Sequence, residues 1–282
     1  MSALIVSASR RTDLPGYHPE WTARRIRRIR RPIHSVFFWT KHPAAFSTPG
    51  PLQDLVRFHL ENPFLHVTVT GLGGTRVEPN VPDWKTAMKA LERALEVFRG
   101  QTARIRWRFD PVLPGVDAAR TFERIAAAMS GLGVRDCIIS LPAGMSLKGE
   151  LEPQYAAFGI GTWEEEAARR TVGRILDSAG RRAIKVRSCA TPRLERWFPA
   201  AVEPASCISA ALATALHPRG LEVPHEKDPA QRRRCTCTRS EDIGSYALTP
   251  CRSGCLYCYS RAGGPQVCAT FSGTPRQQRR GR

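Results

Sequence analysis

The sequence predicts an α/β fold: a parallel sheet wound as a (β/α) barrel or as an open doubly wound sheet. Two observations carry the prediction. Six apolar runs of strand length alternate with longer stretches of helical periodicity. Right-handed crossovers between such units give one parallel sheet. A third observation is that polar residues gather just after the strand runs, where both architectures place functional side chains.

Residues 3–7 are the first expected strand, and residues 8–15 are a polar loop closed by Pro15. Residues 21–30 read as a helix, with Trp21, Ile26 and Ile29 facing inward. Arg24, Arg25, Arg27, Arg28 and Arg30 make its outer face basic. Residues 36–39 form the second strand and run into Thr40 and Lys41. Residues 53–60 suggest a short helix, and 65–70 alternate as strand three. The glycines at 71, 73 and 74 lack the spacing of a dinucleotide fingerprint. Glu78 lies in the loop that follows. Met88, Leu91, Leu95 and Phe98 share one helical face, and Gly100 stops that helix.

Residues 104–109 are strand four, with Ile105, Trp107 and Phe109 alternating with arginines, and end at Asp110. Phe122, Ile125, Met129 and Leu132 mark the next helix. Residues 137–141 are strand five, 142–162 a long loop, 163–179 a helix, 183–187 strand six and 208–216 a short helix. Residues 1–216 thus hold the α/β units. Residues 217–268 form a cysteine-rich segment, and 269–282 a basic tail expected to be disordered.

The net charge of +18 over 282 residues permits a polyanionic partner such as nucleic acid. Nearly all of that charge is arginine, which a GC-rich genome would also produce. Without an apolar run long enough to span a bilayer, no membrane segment is expected. Residues 1–9 lack the order of a signal peptide, so the expected location is cytoplasmic. Nine cysteines in a reducing compartment argue for metal ligation rather than disulfides.

The chemistry concentrates near the end of the chain. Cys251, Cys255 and Cys258 fall at C-x3-C-x2-C, with Tyr257 before the third. Such spacing lets one tight loop aim three soft thiolates at one point. A structural zinc site normally takes four ligands, so three leave a position open. A zinc knuckle is the competing reading. Cys235 and Cys237 lie among arginines that favour the thiolate form. With Cys189 and Cys207 they make a four-ligand set for a second iron–sulfur cluster or a structural zinc. Cys235, Cys237 and at least one of the other two are expected to converge. Cys137 and Cys268 receive no role.

The C-x3-C-x2-C motif with its aromatic resembles the signature of the radical S-adenosylmethionine (radical SAM) enzymes. The resemblance implies a 4Fe-4S cluster whose open iron chelates SAM, and cleavage of SAM to a 5′-deoxyadenosyl radical. Residues 7–15, Thr40-Lys41, Glu78-Pro79 and residues 109–115 are similar to strand-end segments of the spore photoproduct lyase-like branch. That order agrees with a TIM-like or partial barrel permuted so that the cluster loop comes last. The Gly-Gly-Glu segment usual in that superfamily does not follow the first strand. The whole chain resembles an uncharacterised bacterial radical-SAM-like family with a C-terminal cysteine cluster. The motifs that carry this are Ser7 to Asp13, Phe38 to Lys41, Gln231-Arg232, Cys235-x-Cys237 and Asp242-Ile243-Gly244. The implied contacts to SAM or substrate are Arg10, Asp13, Lys41 and Asp110, with Thr40, Glu78 and Tyr257 near the cofactor. A reduced flavodoxin or ferredoxin type of electron donor is implied as well. The rival class is a non-enzymatic zinc- or iron–sulfur-binding protein docked on nucleic acid.

Overall fold

The structure is a computed structural model and describes residues 3–142 and 163–258. Cys268, most of the loop at 142–162 and the basic tail lie outside the described residues.

One parallel sheet organises the chain. Its strands are β1 (Leu4–Ala8), β2 (Ile33–Thr40), β3 (Pro63–Thr68), β4 (Ile105–Phe109), β5 (Asp136–Ile139), β6 (Lys185–Ser188), β7 (Val202–Pro204) and β8 (Glu241–Asp242). The spatial order is β7-β6-β5-β4-β3-β2-β1-β8. From β1 to β7 each strand lies beside its sequence neighbour, and β8 lies beside β1. This is the winding of a barrel-type sheet. A doubly wound sheet reverses its strand order partway, and no such reversal occurs here. β7 and β8 are the two edges and are not paired with each other among the described residues. Neither was anticipated from the sequence, because three and two residues are too short to show a period.

The helices are α1 (Leu14–Tyr17), α2 (Pro19–Arg27), α3 (Ala44–Ser47), α4 (Pro51–Asp54), α5 (Trp84–Val97), α6 (Ala118–Gly131), α7 (Glu165–Gly180), α8 (Pro192–Trp197) and α9 (Ala210–Ala215). The helix expected over 53–60 is instead the end of α4 followed by a π turn, Leu55–His59. That turn buries Leu55 and Val56 but leaves Phe58 in solvent. The helix expected over 208–216 spans Ala210–Ala215, because Ser209 is the cap and accepts from Leu212 N, so Cys207 lies three residues ahead of it.

Strand alternation separates two apolar layers. Val6, Phe38, Leu65, Trp107 and Ile139 pack beneath the long helices against Leu91 of α5, Phe122 and Ile125 of α6, and Val172 and Ile175 of α7. Each such side chain contributes about 1.5–3 kcal/mol when fully buried. The opposite, inner face carries Ile5, Phe37, Trp39, Phe64 and Ile138. The chain after β7 covers it with Cys207, Ile208, Ala213, Cys235 and Cys237. Polar bonds fix that cover in place. Asn62 Nδ2 donates to Ala213 O at 2.8 Å and Arg104 to Leu216 O at 2.6 Å. His66 Nε2 meets Cys207 O at 2.9 Å, and Arg106 donates to Ser206 O. The cysteine-rich segment therefore shares the core of the α/β units, and it supplies β8 to their sheet.

Candidate active site at the strand ends

Lys41 stands one position beyond β2 and continues the inner-face series of Phe37 and Trp39. Its Nζ donates to Glu78 Oε1 and to Tyr257 Oη, each at 2.8 Å. Tyr257 Oη also bonds Glu78, and Thr70 Oγ1 donates to Glu78 Oε1 at 2.9 Å. Glu78 is 1 % exposed. Asp13 braces the same corner: Oδ2 accepts from Lys41 N at 2.8 Å, and Oδ1 accepts from Gly16 N at 2.9 Å, capping α1. The ends of β1, β2 and β3 thus meet at one buried ion pair.

The loop bearing Cys251, Cys255 and Cys258 docks onto this corner. Leu256 N donates to Val77 O at 3.0 Å, and Asn80 N to Ser253 O at 3.3 Å. Asn80 Nδ2 reaches Arg252 O at 2.8 Å, and His18 Nε2 meets Pro250 O at 2.9 Å. The turn needs Gly254, which has φ +68° and would place a Cβ 3.1 Å from Pro79 Cγ. Leu256 joins a small apolar cluster with Val77 and Leu113.

The electrostatics follow from burial beside these charges. Burial raises the Cys255 thiol, while Lys41 pulls it back towards thiolate; Cys251 and Cys258 lie within its electrostatic reach. Burial and Asp13 raise Cys251, whereas the hydroxyl and amide of Ser253 and the amide of Asp13 favour its thiolate. Burial alone would discharge Lys41, but Glu78 and Cys255 outweigh it, so its pKa stands above the ordinary value. Tyr257 is pushed far up by burial and by Glu78 and stays a phenol. A neutral phenol and a charged lysine are the forms that both donate to the carboxylate.

Asp110 lies near enough to act on both Lys41 and Tyr257. Its own oxygens are held by Arg108 and by Ser140 Oγ. The Arg108 guanidinium lies 5.1 Å from the centre of the Trp39 ring. Arg10 turns to the returning chain instead. It donates to Asp228 Oδ2 at 2.7 Å and to Ser240 Oγ at 2.9 Å. Asp242 of β8 accepts from Ser7 Oγ, Ser9 Oγ and Arg10 N at 3.0, 2.6 and 2.9 Å. Arg10 thereby ties β1 to the chain around β8.

Beside Asp110 stands the second thiol group. Cys207, Cys235 and Cys237 share one buried cluster, and Cys189 packs against it. Cys189 lowers the Cys207 thiol, but Cys237 and burial win and hold it at about 11. Cys237 brings Cys235 down to about 7. Among the described residues, no group of three or more His, Cys, Asp or Glu is drawn into a ready metal cage. Closing these thiols round a cation requires their protons to leave.

Of the residues expected from sequence, Asp13, Lys41, Glu78, Asp110, Tyr257, Cys251, Cys255 and Cys258 come together. Thr40 does not join them. Strand alternation puts it on the opposite face from Lys41, and its hydroxyl accepts from His42 N at 2.8 Å. Sequence reading gave Arg108, Asn80 and Asp228 no role, and took Asp242 only as part of a family motif. The period-two pattern of Arg106, Arg108 and Asp110 was the available signal for the first. Asn80 and Asp228 act through contacts distant in sequence and left no local trace.

The arrangement defines an α/β protein of barrel-type winding with thiols gathered at its strand ends. Residues 24–260 match the family described as Domain of unknown function (DUF1848), and the chain belongs to that family. No curated protein matches the chain. No helix among the described residues is long and apolar enough to cross a membrane.

Proposed function

We propose that this chain is a radical-SAM-like enzyme in which Cys251, Cys255 and Cys258 hold a 4Fe-4S cluster with S-adenosylmethionine at the open iron. One observation carries the reading. Three thiols on one short loop are pinned, through Tyr257, to the buried Lys41–Glu78 pair at the C-terminal ends of parallel strands. When bound, the cluster and SAM would supply one-electron chemistry and an organic radical.

The chain's own residues do the rest. Lys41 offsets the negative charge of Glu78 and would favour the thiolate of Cys255 in a low-dielectric corner. Amide donors favour the thiolate of Cys251. Tyr257 and Asn80 fix the loop's position, and Leu256 and Leu113 shield its base from water. Asp110 presents charge on the neighbouring strand end. The pairing of β8 with β1 supports a permuted barrel, since the strand just before the thiol loop then flanks the sheet's first strand. The arginines of α2 lie exposed, which suits a polyanionic substrate, and nucleic acid is the class proposed. A reduced flavodoxin or ferredoxin type of protein would deliver the electron.

Anaerobic reconstitution with iron and sulfide tests the reading. The expected result is a broad visible absorption and cleavage of SAM after reduction with dithionite, both lost in the Cys251→Ala, Cys255→Ala, Cys258→Ala variant. Cleavage that survives in this variant, or zinc alone on these three thiols, overturns it.

A further inference from the structure

We propose that Cys189, Cys207, Cys235 and Cys237 are a second metal site that takes a single zinc ion and joins the two open edges of the sheet. The inference does not depend on the radical-SAM reading.

The first argument is position. Cys189 directly follows β6, Cys207 lies just beyond edge strand β7, and Cys235 and Cys237 precede edge strand β8. The two edge strands do not pair, but the segments beside them do. Thr236 Oγ1 donates to Ala205 O at 2.9 Å, and Ser206 Oγ to Thr236 O at 3.0 Å. Thr238 N donates to Ile208 O at 2.8 Å. Ala205 N in turn continues the β6–β7 ladder with a 2.8 Å bond to Ser188 O. The four thiols sit on this seam, where backbone pairing is sparse and a cross-link has the most to hold.

The second argument is the surroundings of the sulfurs. Ile208 N donates to Cys237 Sγ at 3.4 Å, and Arg108 Nη1 to Cys207 Sγ at 3.5 Å. Arg232 Nη2 lies 3.6 Å from Cys189 Sγ. Donors aimed at sulfur are what metal-bound thiolates use to spread their negative charge. A zinc ion with four thiolates carries two net negative charges, and these guanidiniums face them. All four cysteines are free thiols, so no disulfide consumes them.

The third argument selects one ion over a cluster. Cys207, Cys235 and Cys237 pack in one buried cluster, with Cys189 against it. A single zinc ion, with bonds of about 2.3 Å to four sulfurs, is the smallest occupant that such a packed cluster could take. A four-iron cluster would have to fit its own iron and sulfide between the same side chains. Zinc enters by displacing the thiol protons to water, and no redox step is involved. Four protein ligands leave no open position, so the site is structural.

The test uses the full chain carrying Cys251→Ala, Cys255→Ala and Cys258→Ala, which leaves the second group intact. Purified with zinc and iron both present, it should retain about one zinc per chain and no sulfide. Cobalt(II), added after a chelator has stripped the zinc, should give the intense charge-transfer bands of thiolate ligation. The four thiols should react with a thiol reagent slowly before stripping and quickly afterwards. A further Cys235→Ser, Cys237→Ser change should abolish zinc retention and the cobalt bands. A metal-free triple variant whose thiols react at once overturns the proposal. Iron with sulfide in place of zinc overturns the single-ion assignment. Because the tested chain lacks the first thiol group, failure of the radical-SAM reading leaves these outcomes unchanged.

Discussion

The two thiol groups lie at the same end of one sheet but are built in opposite ways. The first comes from a single loop, has three thiols, and leaves Cys251 and Cys258 partly open to solvent. The second is assembled from three segments between residues 189 and 237, has four thiols, and buries all but Cys189. The first answers to a lysine and a carboxylate held at strand ends. The second answers to two arginines and to the backbone of the seam. An open set of three suits a site that must admit a small molecule, whereas a closed set of four suits a staple. Ligand count and accessibility, not thiol chemistry itself, separate the two.

The comparison breaks most sharply at the first group. Removing Cys251, Cys255 and Cys258 together should abolish iron binding and SAM cleavage while zinc at the second group remains, as metal analysis would read. Loss of both metals at once would mean that the groups form one site.

Lys41→Met should be the largest single effect on stability. It leaves Glu78, which is 1 % exposed, without its cation. Breaking one side of such a pair costs about 3–5 kcal/mol, read from urea unfolding. Adding Glu78→Gln should recover part of the loss. Iron content should fall in Lys41→Met and zinc content should not.

Gly254→Ala should cost about 1 kcal/mol, because its φ of +68° disfavours a side chain. The effect should appear as weaker iron retention by the first group alone.

The smallest effect concerns edge strand β7, beside the second group. Glu203 pairs with Lys185 at 2.6 Å and with Arg187 at 2.7 Å, and Arg187 also meets Asp136 at 3.0 Å. The bond from Lys185, helped by Arg187, holds the Glu203 carboxyl below its ordinary range. A lowered carboxyl pKa stabilises the fold above the ordinary range and loses that contribution as pH falls through the lowered value. The pair is exposed, so it contributes at most about 1 kcal/mol. Unfolding midpoints at about pH 7 and pH 3 should differ less in Glu203→Gln than in the parent protein.

Much of this was legible along the chain. The alternation of Ile105, Trp107 and Phe109 with Arg106 and Arg108 marked a strand with two unlike faces. The helical spacing of Met88, Leu91 and Leu95 marked α5. The C-x3-C-x2-C spacing marked a loop that could gather three thiols. Other features were hidden for a physical reason. The π turn at Leu55–His59 has the apolar residues of a helix but not its hydrogen bonding. Nothing near Arg10 in sequence announces that Asp228 and Asp242 hold it. Thr40 and Lys41 are adjacent in sequence, yet strand alternation sends them to opposite faces.

By itself, the sequence determined what depends on near neighbours: the period of each strand and helix, the α/β class, the thiol spacing and the arginine-rich face of α2. Tertiary structure alone decided which distant residues meet. It set β8 beside β1 and wrapped the chain after β7 over the inner face. It also brought Cys189 and Cys207 to Cys237, and Tyr257 to Lys41 and Glu78. Those contacts arise because burying two sheet faces draws remote segments over the sheet, and a buried charge is stable only where another segment supplies its partner.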